Sequence, residues 1–219
     1  PVLISIKEDP KTIRAAFIKL IQYTSYVNFI VTSFLIASAD SFIPLILGNN
    51  WIHSIPYFKL LCLAGSVYPL HAINLNLLQT KGRSDLFLKI EIVKDIISVS
   101  LIALVIILNI GVIGLLWVAV ISSFIAYFIN SYFSQALIGY STFKQIRDLL
   151  PSIAVSMVIG FIVYGMKLFL PINPAALFMV QLFTGFVSFI VLNKLFKIKG
   201  SDMFLLLIRM IKKDASANE

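Results

Sequence analysis

Tyr68–Asp95, YPLHAINLNLLQTKGRSDLFLKIEIVKD, is the stretch on which the reading of this chain turns. Two apolar runs meet there at a short basic turn, Thr80-Lys81-Gly82-Arg83-Ser84-Asp85. The arms beside the turn carry His71, Asn74, Asn76, Gln79, Lys89, Glu91, Lys94 and Asp95. Almost everything outside the stretch is apolar in runs long enough to cross a bilayer. Polar and ionisable groups at that depth are costly, so they face a partner inside a helix bundle or a water-filled cavity.

The composition agrees with a bilayer setting. Of 219 residues, 59% are hydrophobic and 13% charged, and mean hydropathy is +0.97. Water-soluble domains carry about a quarter charged residues. The expected fold class is therefore all-α: a polytopic transmembrane helix bundle. The single cysteine, Cys62, excludes an internal disulfide and a cysteine-based metal motif, and it lies in an apolar run.

A membrane helix needs about 20 largely apolar residues. Six segments qualify, at roughly 17–39, 55–79, 86–108, 112–137, 149–170 and 175–195. Their connections are short, so consecutive helices are expected to be antiparallel neighbours. Pro10 is expected to open a short amphipathic turn ahead of the first span. Ser201 to Lys213 is too short to cross. It sets Asp202, Arg209 and Lys213 opposite Phe204, Leu207, Ile208 and Ile211, the pattern of an interfacial amphipathic helix.

The net charge of +8 is distributed by side. If the connections alternate, one side holds Lys7, Lys11, Arg14, Lys81, Arg83, Lys144, Arg147 and the tail cations from Lys197 to Lys213, whereas 40–54, 109–111 and 171–174 hold no Lys or Arg. The positive-inside bias makes the basic side cytoplasmic. The charge is thus a topology signal, and nucleic acid is not an expected partner. Lys59 and Lys167, near the opposite ends of their spans, are expected to reach outward to the headgroups.

Within the spans, Thr24, Asn28 and Thr32 form a polar stripe, read either as interhelical hydrogen bonding or as cavity lining. Pro69 removes a backbone bond from the second span and kinks it. The third span is expected to begin with Ser84 or Asp85 as N-cap. Lys94 and Asp95 then sit about 13–15 Å along it, either on a cytoplasmic extension of the helix clear of lipid or facing an inward-open cavity. Lys94 can pair with Glu91, and Glu91 and Asp95 lie one turn apart. The stripes Ser122-Ala126-Asn130-Ser134, Ser152-Ser156-Gly160 and Gln181-Gly185-Ser188 read as close helix packing. Candidate cavity residues are accordingly Asn28, His71, Asn74, Asn76, Gln79, Lys81, Arg83, Lys89, Glu91, Lys94 and Asp95.

Three pieces in order, PVLISIKEDPKTIRAAFIKL (1–20), ILGNNW (46–51) and the opening stretch itself, resemble polysaccharide exporters of the Wzx type. These belong to the superfamily that also holds multidrug exporters and lipid II flippases. The resemblance covers about residues 1–110; the later spans match in hydropathy only. It implies a carrier of two six-helix lobes, with two further helices in some members, working by alternating access. It also implies a cargo of oligosaccharide on an undecaprenyl diphosphate carrier, moved across the bacterial inner membrane. A polysaccharide polymerase and a chain-length regulator follow as partners, together with membrane lipids. On that analogy, and because the chain opens Pro1-Val2-Leu3-Ile4 without Met, it is expected to be the C-terminal part of a longer transporter, forming a single membrane domain.

Two other functions compete. A multidrug or cation antiporter of the same superfamily would favour an acidic, aromatic cavity. A membrane-embedded acyl or glycosyl transferase would need a base or metal site, and His71 has no D-x-D, H-E-x-x-H or Ser-His-Asp companions. No cofactor, catalytic residue or metal ligand is expected.

Overall fold

The computed structural model describes residues 10–196. They form six helices: α1 (Pro10–Leu47), α2 (Ile55–Thr80), α3 (Ser84–Ile107), α4 (Val112–Ile138), α5 (Thr142–Phe169) and α6 (Pro174–Phe196). A 3₁₀ turn, Asn49–Ser54, joins the first two. Five segments are long and apolar enough to cross a membrane: α1, α2 with its leading turn, α4, α5 and α6. α3 has comparable length, 24 residues, but carries Lys89, Glu91, Lys94 and Asp95 in its first half. The amphipathic helix expected over 201–213 lies outside the described residues.

The helix boundaries differ from the sequence expectation at two starts and one end, since α1 continues past residue 39 to Leu47. α1 begins at Pro10 and runs for 38 residues, so Pro10 opens the long helix itself and not a separate surface turn. Proline suits that first position, where its missing N–H has no partner to lose. α5 begins at Thr142, ahead of residue 149, because Ser141 caps it by accepting from the Lys144 amide at 3.4 Å. Pro151 falls inside this helix.

The bundle consists of two three-helix sets. α1, α5 and α6 pack mutually, as do α2, α3 and α4, and the α1–α2 interface joins the sets. Consecutive helices run antiparallel: Asn74, late in α2, meets Ser134, late in α4, and Gln145, early in α5. At the opposite end Lys59, early in α2, meets Asp40, late in α1. The neighbours are not simply consecutive, however. The broadest interfaces are α2 with α4 and α1 with α5, whereas α2–α3 and α4–α5 touch little.

Small residues explain that choice. Lipid is as apolar as the helix surfaces, so association depends on close packing and hydrogen bonds rather than on expulsion of water. Ser152, Ser156 and Gly160 bury one face of α5. There the Ser33 hydroxyl of α1 donates to the Ser156 carbonyl at 2.7 Å and sits directly where a Cβ on Gly160 would lie. Gly185 of α6 lies under the Phe34 ring, 3.1 Å from where its Cβ would be. On α4, Asn130, Ser131 and Ser134 are fully buried. The outward faces are apolar throughout, with Phe161, Phe183 and Leu195 each about 70% exposed.

Gly160→Val should therefore part α1 from α5, costing about 1–3 kcal/mol as an overpacked interface. Gly165→Ala, at a site with no atom within 4 Å of the added carbon, should leave thermal unfolding in detergent unchanged or slightly raised. Equal melting points for the wild type and Gly160→Val would refute this packing.

Candidate functional site: a charged cluster among α2, α3 and α4

The turn that opens the site is built by backbone bonds. The amides of Lys81, Gly82 and Arg83 donate to the carbonyls of Leu77 (3.2 Å), Gln79 (3.0 Å) and Leu78 (2.9 Å). This closure requires Gly82 at φ 69°, a left-handed conformation that favours glycine. Arg83, not Ser84 or Asp85, occupies the N-cap of α3, and no side chain caps it. Having Gly82 fold the chain back so tightly leaves Arg83 at the helix entry. Its Nε pairs with Asp85 at 3.4 Å in open solvent, where such pairs add little. Asn76, Gln79, Lys81, Arg83 and Lys89 are all exposed around this end.

One turn deeper the character changes. Lys94 and Glu91 form an i,i+3 ion pair, and the Lys94 side chain is only 11% exposed. The pair stands within electrostatic reach of His71 on α2. The His71 ring meets Tyr68 edge-on at 4.8 Å. Its backbone carbonyl accepts from Asn130 Nδ2 of α4 at 2.9 Å. Two polar atoms here, His71 Nδ1 and Asn130 Oδ1, are buried without a hydrogen-bond partner among the described residues. The cluster thus joins a paired cation and anion to spare donor and acceptor capacity, a combination suited to a polar or charged solute. Asp95 lies elsewhere: it is exposed and, with Ile92, Ile96, Val99 and Ser100, lines a shallow hollow of about 360 Å³ on α3.

Two other residues singled out from the sequence hold helices together. Asn28 Nδ2 donates to the carbonyls of Gly65 (3.2 Å) and Ser66 (2.7 Å). Gly65 lies four residues before Pro69, so its carbonyl is the one that proline leaves without a helical donor. Thr32 bonds back to the Asn28 carbonyl of its own helix at 2.7 Å. Asn74 is buried, exchanges two bonds with Gln145 (3.1 and 3.0 Å), and accepts from Ser134 at 2.5 Å. Neither asparagine opens onto the charged cluster.

Asp40 escaped the sequence reading. Its two carboxylate oxygens pair with Lys59 at 2.7 Å and Lys167 at 3.0 Å, tying α1, α2 and α5 together at the end opposite the basic turn. The two lysines expected to reach outward both pair with Asp40, and Lys167 remains exposed while doing so. A signal existed: Asp40 is the sole acid between Asp9 and Asp85, and it falls at the end where these two lysines lie.

The fold and its apolar surface define a multi-pass α-helical membrane protein. The family described as "Polysaccharide biosynthesis protein" matches residues 1–56. The chain is 27% identical to the lipopolysaccharide biosynthesis protein WzxC of Escherichia coli (strain K12) over 175 residues, 75% of this chain and 35% of that protein. It is 32% identical over 99 residues to an uncharacterized membrane protein in the cps region of Klebsiella pneumoniae, covering 45% of this chain and 20% of that one. It is 24% identical over 169 residues to the teichuronic acid biosynthesis protein TuaB of Bacillus subtilis (strain 168), covering 77% and 35%. No solved structure matches. The chain is therefore similar to polysaccharide exporters of the Wzx type, as the resemblance of its first half implied, and spans about a third or less of the length of these curated relatives.

Asp40→Asn should destabilise the fold by about 1–3 kcal/mol, between the ranges for exposed and buried pairs, because two lysines lose their counter-ion. Lys59→Met alone should cost less, since Lys167 remains. Thermal unfolding in detergent checks both, and an unchanged melting point in Asp40→Asn would contradict the assignment.

Proposed function

We propose that the chain forms the C-terminal part of a carrier that flips lipid-linked oligosaccharide repeat units across the bacterial inner membrane by alternating access. The reading is of a transporter rather than an enzyme. The observation that carries it is the Glu91–Lys94 pair turned inward beside His71, in a chain similar to proteins named for polysaccharide biosynthesis. An undecaprenyl diphosphate carrier bearing sugar has a head that cannot enter hydrocarbon and a tail that can remain there. Moving the head requires a hydrated, partly cationic path beside apolar walls.

The roles follow from position. Lys81, Arg83 and Lys89, exposed at the basic end, gather the diphosphate at the cytoplasmic mouth, the orientation being set by the positive-inside bias. Asn76 and Gln79 offer hydrogen bonds to sugar hydroxyls there. Lys94 receives the diphosphate deeper in by exchanging Glu91 for it. Glu91, with His71, then carries the coupling cation or proton. Asp95 adds a second carboxylate on the far face of α3. Asn28 and Asn74 serve as positioning residues that fix α2. A polysaccharide polymerase and a chain-length regulator would take the product.

The test is translocation in proteoliposomes, or surface-polysaccharide rescue of a strain lacking its exporter. Lys94→Gln should lower the rate about tenfold or more, the worth of one charge-assisted bond lost in the moving complex. Gly165→Ala should move cargo at the wild-type rate. Wild-type translocation by a Glu91→Gln/Lys94→Gln protein would remove the cluster from the mechanism, and transport of organic cations in place of lipid-linked sugar would favour the multidrug antiporter.

A further inference from the structure

A second cationic site lies apart from the α2–α3–α4 cluster, at the starts of α1 and α5. A hollow of about 340 Å³ is lined by Arg14 and Ile18 of α1, by Tyr140, and by Lys144, Arg147 and Asp148 of α5. We propose that it binds a phosphate anion, as a phosphomonoester or phosphodiester.

Among the described residues that line it, three side-chain cations face one carboxylate, and that carboxylate is already engaged. Asp148 accepts the Tyr140 hydroxyl at 2.8 Å. Burial, reinforced by Asp148, pushes the Tyr140 phenol up from its ordinary value, so it stays a donor to Asp148. The Tyr140 ring is buried and meets Phe17 edge-on at 6.4 Å, which fixes this wall of the hollow. Arg14 Nε is buried and has no hydrogen-bond partner among the described residues. Arg14 lines the hollow as a residue, and a tetrahedral anion there would accept from the guanidinium face that borders it. The start of α5, a 28-residue helix, adds its own positive end to the same place.

A positive-inside bias accounts for cations at this end of the bundle. It does not account for their gathering around one concavity from two helices. Ile18 stands one helical turn beyond Arg14, toward the apolar middle of α1. The hollow thus has a charged floor and an apolar lip, which suits the phosphate of a lipid whose chains lie along α1. A soluble phosphate ester offers the same chemistry to the floor alone. This site uses none of the residues given transport roles above and rests only on the fold.

The experiment takes the protein at its natural length, in detergent, through native mass spectrometry and thermal unfolding. The probes are dioctanoyl phosphatidylglycerol, dioctanoylglycerol without phosphate, and millimolar inorganic phosphate against chloride at equal ionic strength. Phosphatidylglycerol should be retained and raise the melting point, and the neutral lipid should do neither. Lys144→Gln/Arg147→Gln, two exposed positions whose loss leaves the packing intact, should weaken retention about tenfold. Lys19→Gln/Lys194→Gln, also exposed and equal in charge removed, should retain it as the wild type does. Stabilisation by inorganic phosphate without lipid retention would assign the site to a soluble phosphate, which still supports the proposal. Equal effects of the two double variants, or equal retention of the neutral lipid with no response to phosphate, would overturn it.

Discussion

Inside hydrocarbon, every backbone polar group must find its partner within the protein, and Pro69 breaks that rule in the middle of α2. Its missing N–H frees the Gly65 carbonyl, and Asn28 of α1 answers by donating to Gly65 and Ser66 together. The proline in one helix is thus answered by a residue on its neighbour. This bond lies on the α1–α2 seam, the broadest of the interfaces that join the two three-helix sets, so the way the sets meet depends on it.

The other seams repeat the logic with side chains alone. Gln145 of α5 reaches Asn74 of α2 and the Tyr140 carbonyl. Gln181 of α6 accepts from Ser41 and donates to the Val163 carbonyl. Tyr26 donates to Asn193. Each amide is nearly inaccessible or shielded, and each ties helices distant in sequence. Polar side chains buried in this way act as fasteners, and their number is what an apolar surface facing lipid makes necessary. α3 differs because its polar groups are charged and it packs mainly on α4. It sits at the margin of the bundle, with Lys94 and Glu91 turned in and Asp95 turned out. That division separates residues that hold the fold from those available to a solute.

Six helices were legible in the sequence because bilayer thickness fixes the length of an apolar run, and turn residues such as Gly82 and Pro174 mark the ends. Antiparallel order was legible for the same reason. The choice of partners was not. Whether α2 packs on α3 or on α4 depends on which faces fit, and the buried face of Asn130 and Ser134, bonded to His71 and Asn74, holds α2 against α4. The need created by Pro69 could be read directly, but not that Asn28 meets it. For Asn28 the sequence left interhelical bonding and cavity lining open, because in a membrane the same amide can serve either end; its bonds to Gly65 and Ser66 realise the first. Asp40 was missed because its lysines are 19 and 127 residues away along the chain, a spacing that carries no local pattern. The Glu91–Lys94 pairing, being local to one helix, was readable from the start.

A carrier built in this way requires position 94 to face water inside the protein rather than lipid. It is tested most directly by Lys94→Cys in a Cys62→Ala background, treated in sealed vesicles with a charged, membrane-impermeant thiol reagent. The cysteine should react from the basic end of the bundle, and more slowly when lipid-linked oligosaccharide is present. A cysteine there that reacts only with a lipid-soluble reagent, at a rate indifferent to cargo, would contradict it.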